Sequence, residues 1–218
     1  ALQMLGCEVE VINYRNKYMS EKRHIRKENP VKNLAICILD YPGKKSFRNF
    51  EKQLGLFPKK IINETDDLSK IVDRYDYLIC GSDQVWNPNI TGEDLNYFFS
   101  FCKDNTKKIS YAASFGVNEL NEDFAKAVTS ELKKFKSISV REERGAQIVY
   151  ELLNANCPIV LDPTMLIEQG EWRTCEKKIR GLPSNYIAKF IFNYDKNIER
   201  KIKELAEETG CIVRPIYQ

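Results

Sequence analysis

Short apolar runs alternate along the chain with longer stretches whose apolar residues recur at helical spacing. Ala1 to Gly6 reads as the last turn of an amphipathic helix closed by Gly6 as a left-handed cap, and residues 8–14 follow it as a strand. Residues 16–29 are polar and basic and read as a solvated loop, whereas 31–39 and 47–54 carry helical spacing with Gly55 as a stop. Residues 59–62 read as a strand. Residues 66–74 read as a helix with acid at its start and Arg74 at its end, matching the macrodipole. Strands are then expected over 77–80, 107–114, 137–140 and 158–161. Helices separate them at 121–135, with Phe124, Val128, Leu132 and Phe135 on one stripe, and after Arg141-Glu142-Glu143-Arg144-Gly145 as far as Leu153. Strands separated by helices of about 10 to 15 residues imply parallel βαβ units. The predicted class is therefore α/β, a doubly wound, Rossmann-like parallel sheet.

Residues 168–185 change character, with Trp172, Arg173, several lysines and then Gly181-Leu182-Pro183-Ser184-Asn185. After them a strand at 186–192, a helix at 196–209 and a strand at 211–216 restart the βαβ rhythm. The expected organisation is an N-terminal domain over 1–167 lacking its opening strand and helix. An interdomain crossing over 168–185 and a second, truncated Rossmann-like domain over 186–218 complete it. Two such domains facing each other would leave a cleft, where ligands prefer to bind.

Charge and composition narrow the picture. The 34 basic and 31 acidic residues nearly balance, which argues against a general nucleic-acid binder. No apolar stretch approaches the roughly 18 to 20 residues of a membrane span. The seven cysteines form no CxxC pair, and most lie in apolar runs, so they read as reduced core residues of a cytoplasmic protein. The single histidine, His24, sits in a basic stretch, and neither a metal site nor a Ser-His-Asp triad is expected. Lys44, Lys45 and Arg48 are a surface patch or nothing.

The densest chemistry lies in Gly81-Ser82-Asp83-Gln84-Val85-Trp86-Asn87-Pro88, directly after the apolar run 77–80. Ligands bind at the carboxyl ends of strands in open α/β sheets, and this segment offers Asp, Gln, Trp and Asn there. A plain turn is the competing reading, since Gly, Asp, Asn and Pro all favour turns. Trp86 either caps a core or forms a ligand's stacking wall. No G-x-S-x-G elbow surrounds Ser82 or Ser114, so nucleophilic serine chemistry is not supported.

Four segments in order, 81–87, Ser110-Tyr111-Ala112-Ala113-Ser114-Phe115-Gly116, Ser139-Val140-Arg141-Glu142 and Leu161-Asp162-Pro163-Thr164, together resemble the polysaccharide pyruvyl transferase family. The resemblance is strong over about residues 60–170 and architectural in the flanks. It implies a fold like the two-domain B-type glycosyltransferases and transfer of a pyruvyl group from phosphoenolpyruvate, as donor substrate and without a further cofactor, to a sugar of a cell-surface polysaccharide, making a ketal during exopolysaccharide biosynthesis. Phosphoenolpyruvate carries a carboxylate and a phosphate, so cations must hold it. Arg141, between a strand and a helix start, is the candidate for that anion. Asp83 is the candidate for binding or deprotonating the acceptor hydroxyl, with Gln84 and Asn87 orienting it, Trp86 stacking on the sugar, and Ser82 and Ser114 lining the cleft. Asp162-Pro163-Thr164 is expected to fix the exit of the last strand. A nucleotide-sugar glycosyltransferase on the same architecture and a non-catalytic carbohydrate-binding subunit stay open as alternatives.

The family's catalytic histidine and remaining donor-binding basic residues lie, by the resemblance, beyond the second domain's first strands, and nothing in this sequence matches them. Purified residues 1–218 are accordingly expected to transfer no pyruvyl group from phosphoenolpyruvate to any sugar. Detecting ketal by mass spectrometry would overturn that expectation.

Overall fold

The computed structural model describes residues 1–19, 49, 52, 54–176, 179, 181–191 and 195–216. The expected helices at 31–39 and 47–54 fall almost wholly outside the described residues, as do His24, Cys37, Lys44, Lys45 and Arg48. At the start, Gly6 takes φ 81° and closes a 3-10 turn over Gln3–Leu5, the left-handed stop its sequence position suggests. Strand β1 (Val11–Tyr14) pairs in parallel with β2 (Leu56–Ile62), Val11 lying opposite Leu56. Helix α1 (Thr65–Ile71) opens on Asp66 and Asp67 and runs on as a 3-10 turn to Arg74, so acid sits at the positive end of the helix dipole.

Strand β3 (Leu78–Cys80) pairs in parallel with β4 (Lys108–Ser110), and isolated parallel bridges continue the array from Ile109 to Ser137, from Ala113 to Val140 and from Val140 to Ile159. The architecture is mixed α/β with parallel sheets of two strands each. The strand expected over 107–114 stops at Ser110 because Ala112 adopts φ 54°, outside the extended region. The strands expected at 137–140 and 158–161 survive only as bridges. Ser110 Oγ donates to Ser139 O at 3.1 Å, and Ser139 Oγ donates to Ser110 O at 3.0 Å. Hydroxyls of buried serines thus add second bonds to carbonyls that also accept main-chain N–H groups, Ser110 O from Ser139 N at 3.2 Å and Ser139 O from Ala113 N at 3.3 Å.

Helices α2 (Pro88–Thr91), α3 (Glu122–Leu132) and α4 (Glu143–Leu153) surround this array. The Asn121 side chain caps α3 by accepting from Phe124 N at 2.9 Å. Phe124, Val128 and Leu132, four residues apart, are all buried, and α4 buries Ile148 and Val149. Lys108 is buried with its Nζ 3.7 Å from Glu131 Oε2, and neither atom has a hydrogen-bond partner. Desolvation pushes the Lys108 pKa down, while the nearby Glu131 charge opposes that shift.

Helix α5 (Gln169–Thr174) is the one helix in the described part of the segment expected to cross between domains. Beyond it, β5 (Tyr186–Lys189), α6 (Lys196–Thr209) and β6 (Ile212–Pro215) form a second parallel βαβ unit. Asp195 caps α6 by accepting from Asn197 N and Ile198 N, and Gly210 closes it at φ 63°. Among the described residues no helix is long and apolar enough to cross a membrane.

The six described cysteines are free; the expectation that they belong to the core holds for Cys80 and Cys102, Cys157 packs half-buried against that core, and Cys7 and Cys175 are exposed. Burial pushes the Cys80 thiol up to about 12, and it donates to Tyr97 O at 2.9 Å. Alkylation by iodoacetamide in native buffer should therefore modify Cys7 and Cys175 and spare Cys80 and Cys102 until denaturant is added, as peptide mapping would read. Native labelling of Cys80 would contradict the packing described.

Candidate functional site

The loop after β3 is fastened to the loop after β4 by main-chain bonds. Tyr111 N donates to Cys80 O at 2.9 Å, Ser114 N to Asp83 O at 3.0 Å and Trp86 N to Ser114 O at 3.1 Å. Such close approach requires Gly81, whose peptide bond to Ser82 is cis and whose φ is 132°. A Cβ there would stand 1.9 Å from Tyr111 O. The third loop joins through Arg141 N, which donates to Ala113 O at 3.3 Å.

Asp162 ties the fourth segment to the others. Its Oδ1 accepts from Thr164 N at 2.9 Å and Thr164 Oγ1 at 2.7 Å, capping a 3-10 turn over Pro163–Leu166. Its Oδ2 accepts from Ser82 Oγ and from Arg141 Nη1, the latter at 3.1 Å. The Ser82 hydroxyl first, then the Thr164 donors and the Arg141 guanidinium, hold the Asp162 carboxyl well below the usual carboxylate range. An acid so stabilised as its anion is a poor proton acceptor, so Ser82 and Asp162 do not form a nucleophile and base pair. Arg141 Nε also faces Glu142 Oε2 at 3.8 Å, and 31% of the Arg141 side chain stays exposed.

The expected site residues separate into two groups. Ser82 and Gln84 are partly exposed, as is Arg141, and Asp83 is exposed at φ 75° with its Oδ1 accepting from Gln84 N at 2.8 Å. These four stand at the carboxyl end of the parallel array. Trp86 does not form a stacking face. It is 0% exposed, stacks on Phe98 at 5.0 Å between ring centroids, lies 5.1 Å from Phe115, and donates its indole N–H to Tyr97 O at 3.1 Å. Apolar burial and a satisfied N–H outweigh any surface role for this ring. Asn87 is likewise buried; its Oδ1 accepts from Asn89 N and caps α2, while its Nδ2 donates to Gln84 Oε1 at 2.9 Å. Ser114 is buried too and contributes main-chain bonds rather than an open hydroxyl. The residue that sequence reasoning undervalued is Asp162. The Asp-Pro-Thr order announces its cap, but its bonds to Ser82 and Arg141 span distant segments and leave no local signal.

Two open surface grooves, of about 440 Å³ along Gln147 and Tyr150 and about 450 Å³ beside Tyr18, Asn89 and Glu93, lie apart from Arg141. No basic side chain lines either, so neither suits an anion as well as the Arg141 cluster does. Among the described residues no cluster of three or more His, Cys, Asp or Glu could hold a metal ion.

Substituting Gly81→Ala should destabilise the protein by roughly 3 to 5 kcal/mol, from the disfavoured φ and the collision with a carbonyl together. Urea denaturation of the variant measures this, and an unchanged midpoint would mean that the backbone at Tyr111 can retreat.

A family model described as polysaccharide pyruvyl transferase matches residues 8–215, nearly the whole chain. No curated protein and no solved structure matches it. The four convergent segments all lie within the matched region, and the chain belongs to the polysaccharide pyruvyl transferase family.

Proposed function

We propose that the protein takes part in transferring a pyruvyl group from phosphoenolpyruvate to a sugar of a cell-surface polysaccharide, in the cytoplasm, with residues 1–167 acting as one half of a doubly wound, B-type architecture. The observation that carries this reading is the meeting of Ser82, Arg141 and Asp162 beside the exposed Asp83 at the carboxyl ends of parallel strands. Family membership supports the reaction class, and the free cysteines are in keeping with a reducing compartment.

In the reaction, a proton added to the methylene carbon leaves positive character at the central carbon of the donor. A sugar hydroxyl attacks that carbon, the C–O bond to phosphate breaks, and a second hydroxyl closes the ketal, so the products are the ketal and inorganic phosphate. Arg141 binds the donor's carboxylate or phosphate as a guanidinium fork. Asp83 accepts the proton of the attacking hydroxyl, and Ser82 and Gln84 orient the groups around it. One guanidinium flanked by Asp162 and Glu142 does not neutralise phosphoenolpyruvate, so further cations from outside this cluster complete the donor site. With Trp86 in the core, the acceptor is held by hydrogen bonds from the partly exposed groups around Asp83 and not by an indole face.

Thermal-shift titration of the complete natural protein tests this reading. A ligand at about a hundredfold excess over its Kd stabilises by about 2.7 kcal/mol, or roughly 5 to 10 °C for a protein of this size. Phosphoenolpyruvate should produce such a shift, and Arg141→Ala should remove most of it. Stabilisation by a nucleotide diphosphate sugar instead, with no response to phosphoenolpyruvate, would transfer the assignment to glycosyl transfer.

A further inference from the structure

We infer that Asp162 is a positioning residue for the donor, acting through Arg141: it holds one edge of the guanidinium so that the other edge faces an incoming carboxylate or phosphate. The inference rests on Arg141 being the donor's anion-binding group. Arginine side chains lose much rotamer freedom when fixed, and an arginine already held in its binding pose loses less of it when an anion arrives. Asp162 has the geometry for this. Its two oxygens divide their work, Oδ1 taking the Thr164 backbone and hydroxyl and Oδ2 taking Arg141 Nη1 together with Ser82 Oγ. The Thr164 bonds anchor the carboxylate to its own turn, so the arginine is fixed to a rigid point and not to a swinging side chain. Nη2 of Arg141 has no hydrogen bond among the described residues and the side chain remains partly open to solvent. Because Ser82 shares the same oxygen, the Asp83 loop and the guanidinium are set relative to one another by a single carboxylate. The carboxyl's depressed pKa keeps it anionic, and therefore able to hold the cation, throughout the neutral range.

Asp162→Asn separates this role from a structural one. Asparagine caps helical turns as well as aspartate, so the bonds to Thr164 persist. The amide nitrogen that replaces Oδ2 can still meet the Ser82 hydroxyl, but it faces Arg141, which only donates. Asp162→Ser, which retains a capping oxygen but does not reach Arg141, is the second variant. Steady-state kinetics of the complete natural enzyme with phosphoenolpyruvate, with melting temperature recorded alongside, should give a donor KM raised roughly tenfold in both variants, the scale of a charged hydrogen bond. The value of kcat should stay within about twofold, as expected when binding rather than chemistry is weakened. In an Arg141→Ala background Asp162→Asn should add nothing further to KM, since a residue acting through another has no effect once that other is gone. Full additivity, or an unchanged KM in Asp162→Asn while Arg141→Ala raises it, would overturn the role of Asp162 alone. An unchanged donor KM in Arg141→Ala itself would overturn the assignment of Arg141, and this inference with it.

Discussion

A polar loop can present hydrogen-bonding side chains at a fixed place only if something beneath it prevents it from moving, and here that is the indole of Trp86. The ring is wholly enclosed by Phe98, Phe115 and Phe135, with its N–H satisfied by a carbonyl. An aromatic side chain of this size contributes a large share of core energy, and its paired rings add about 0.5 to 1.5 kcal/mol each beyond the area they bury. The polar residues on either side of it inherit that fixity. Ser82 and Asp83 precede the ring, Asn87 follows it, and the main-chain bonds from Trp86 and Asp83 to Ser114 carry the same restraint into the neighbouring loop.

Much of the element order was legible because its ends are written locally. Helix Lys196–Thr209 begins after Asp195 and stops at Gly210, and both caps are single residues whose chemistry has one main use in that position. Asn121 announces Glu122–Leu132 in the same way. The sheet was less legible. Alternation over 107–114 does not disclose that Ala112 turns to positive φ, nor that Ser110 and Ser139 bond their hydroxyls to each other's carbonyls beside the main-chain bonds. Those choices depend on which segment lies alongside, and pairing partners are not encoded in spacing.

The candidate site divides along the same line. That four separated motifs meet was readable, since each follows a strand and parallel strands deliver their carboxyl ends to one edge. The direction each side chain takes was not. An indole in a run of polar residues reads equally as a core cap or as a ligand's stacking wall, and the contacts with Phe98, Phe115 and Phe135 decide for the core. In sequence Asp162 is expected only to fix the exit of a strand; it caps the turn that follows, and its second oxygen has a use visible only in three dimensions. Charge adds a constraint, because Arg141 meets two carboxylates before any ligand arrives, and a held guanidinium is less attractive to anions than a free one while being better aimed.

At the opposite end of β4 from these loops, Lys108 and Glu131 face each other within the core, and Glu131 Oε1 also accepts from Lys134 Nζ at 2.7 Å. Removing Glu131 strands the Lys108 charge away from water, whereas removing Lys108 leaves Glu131 its bond to Lys134. The constraint on the two positions is therefore one-sided: relatives of this chain can keep the carboxylate without the buried ammonium, whereas the buried ammonium without the carboxylate is selected against.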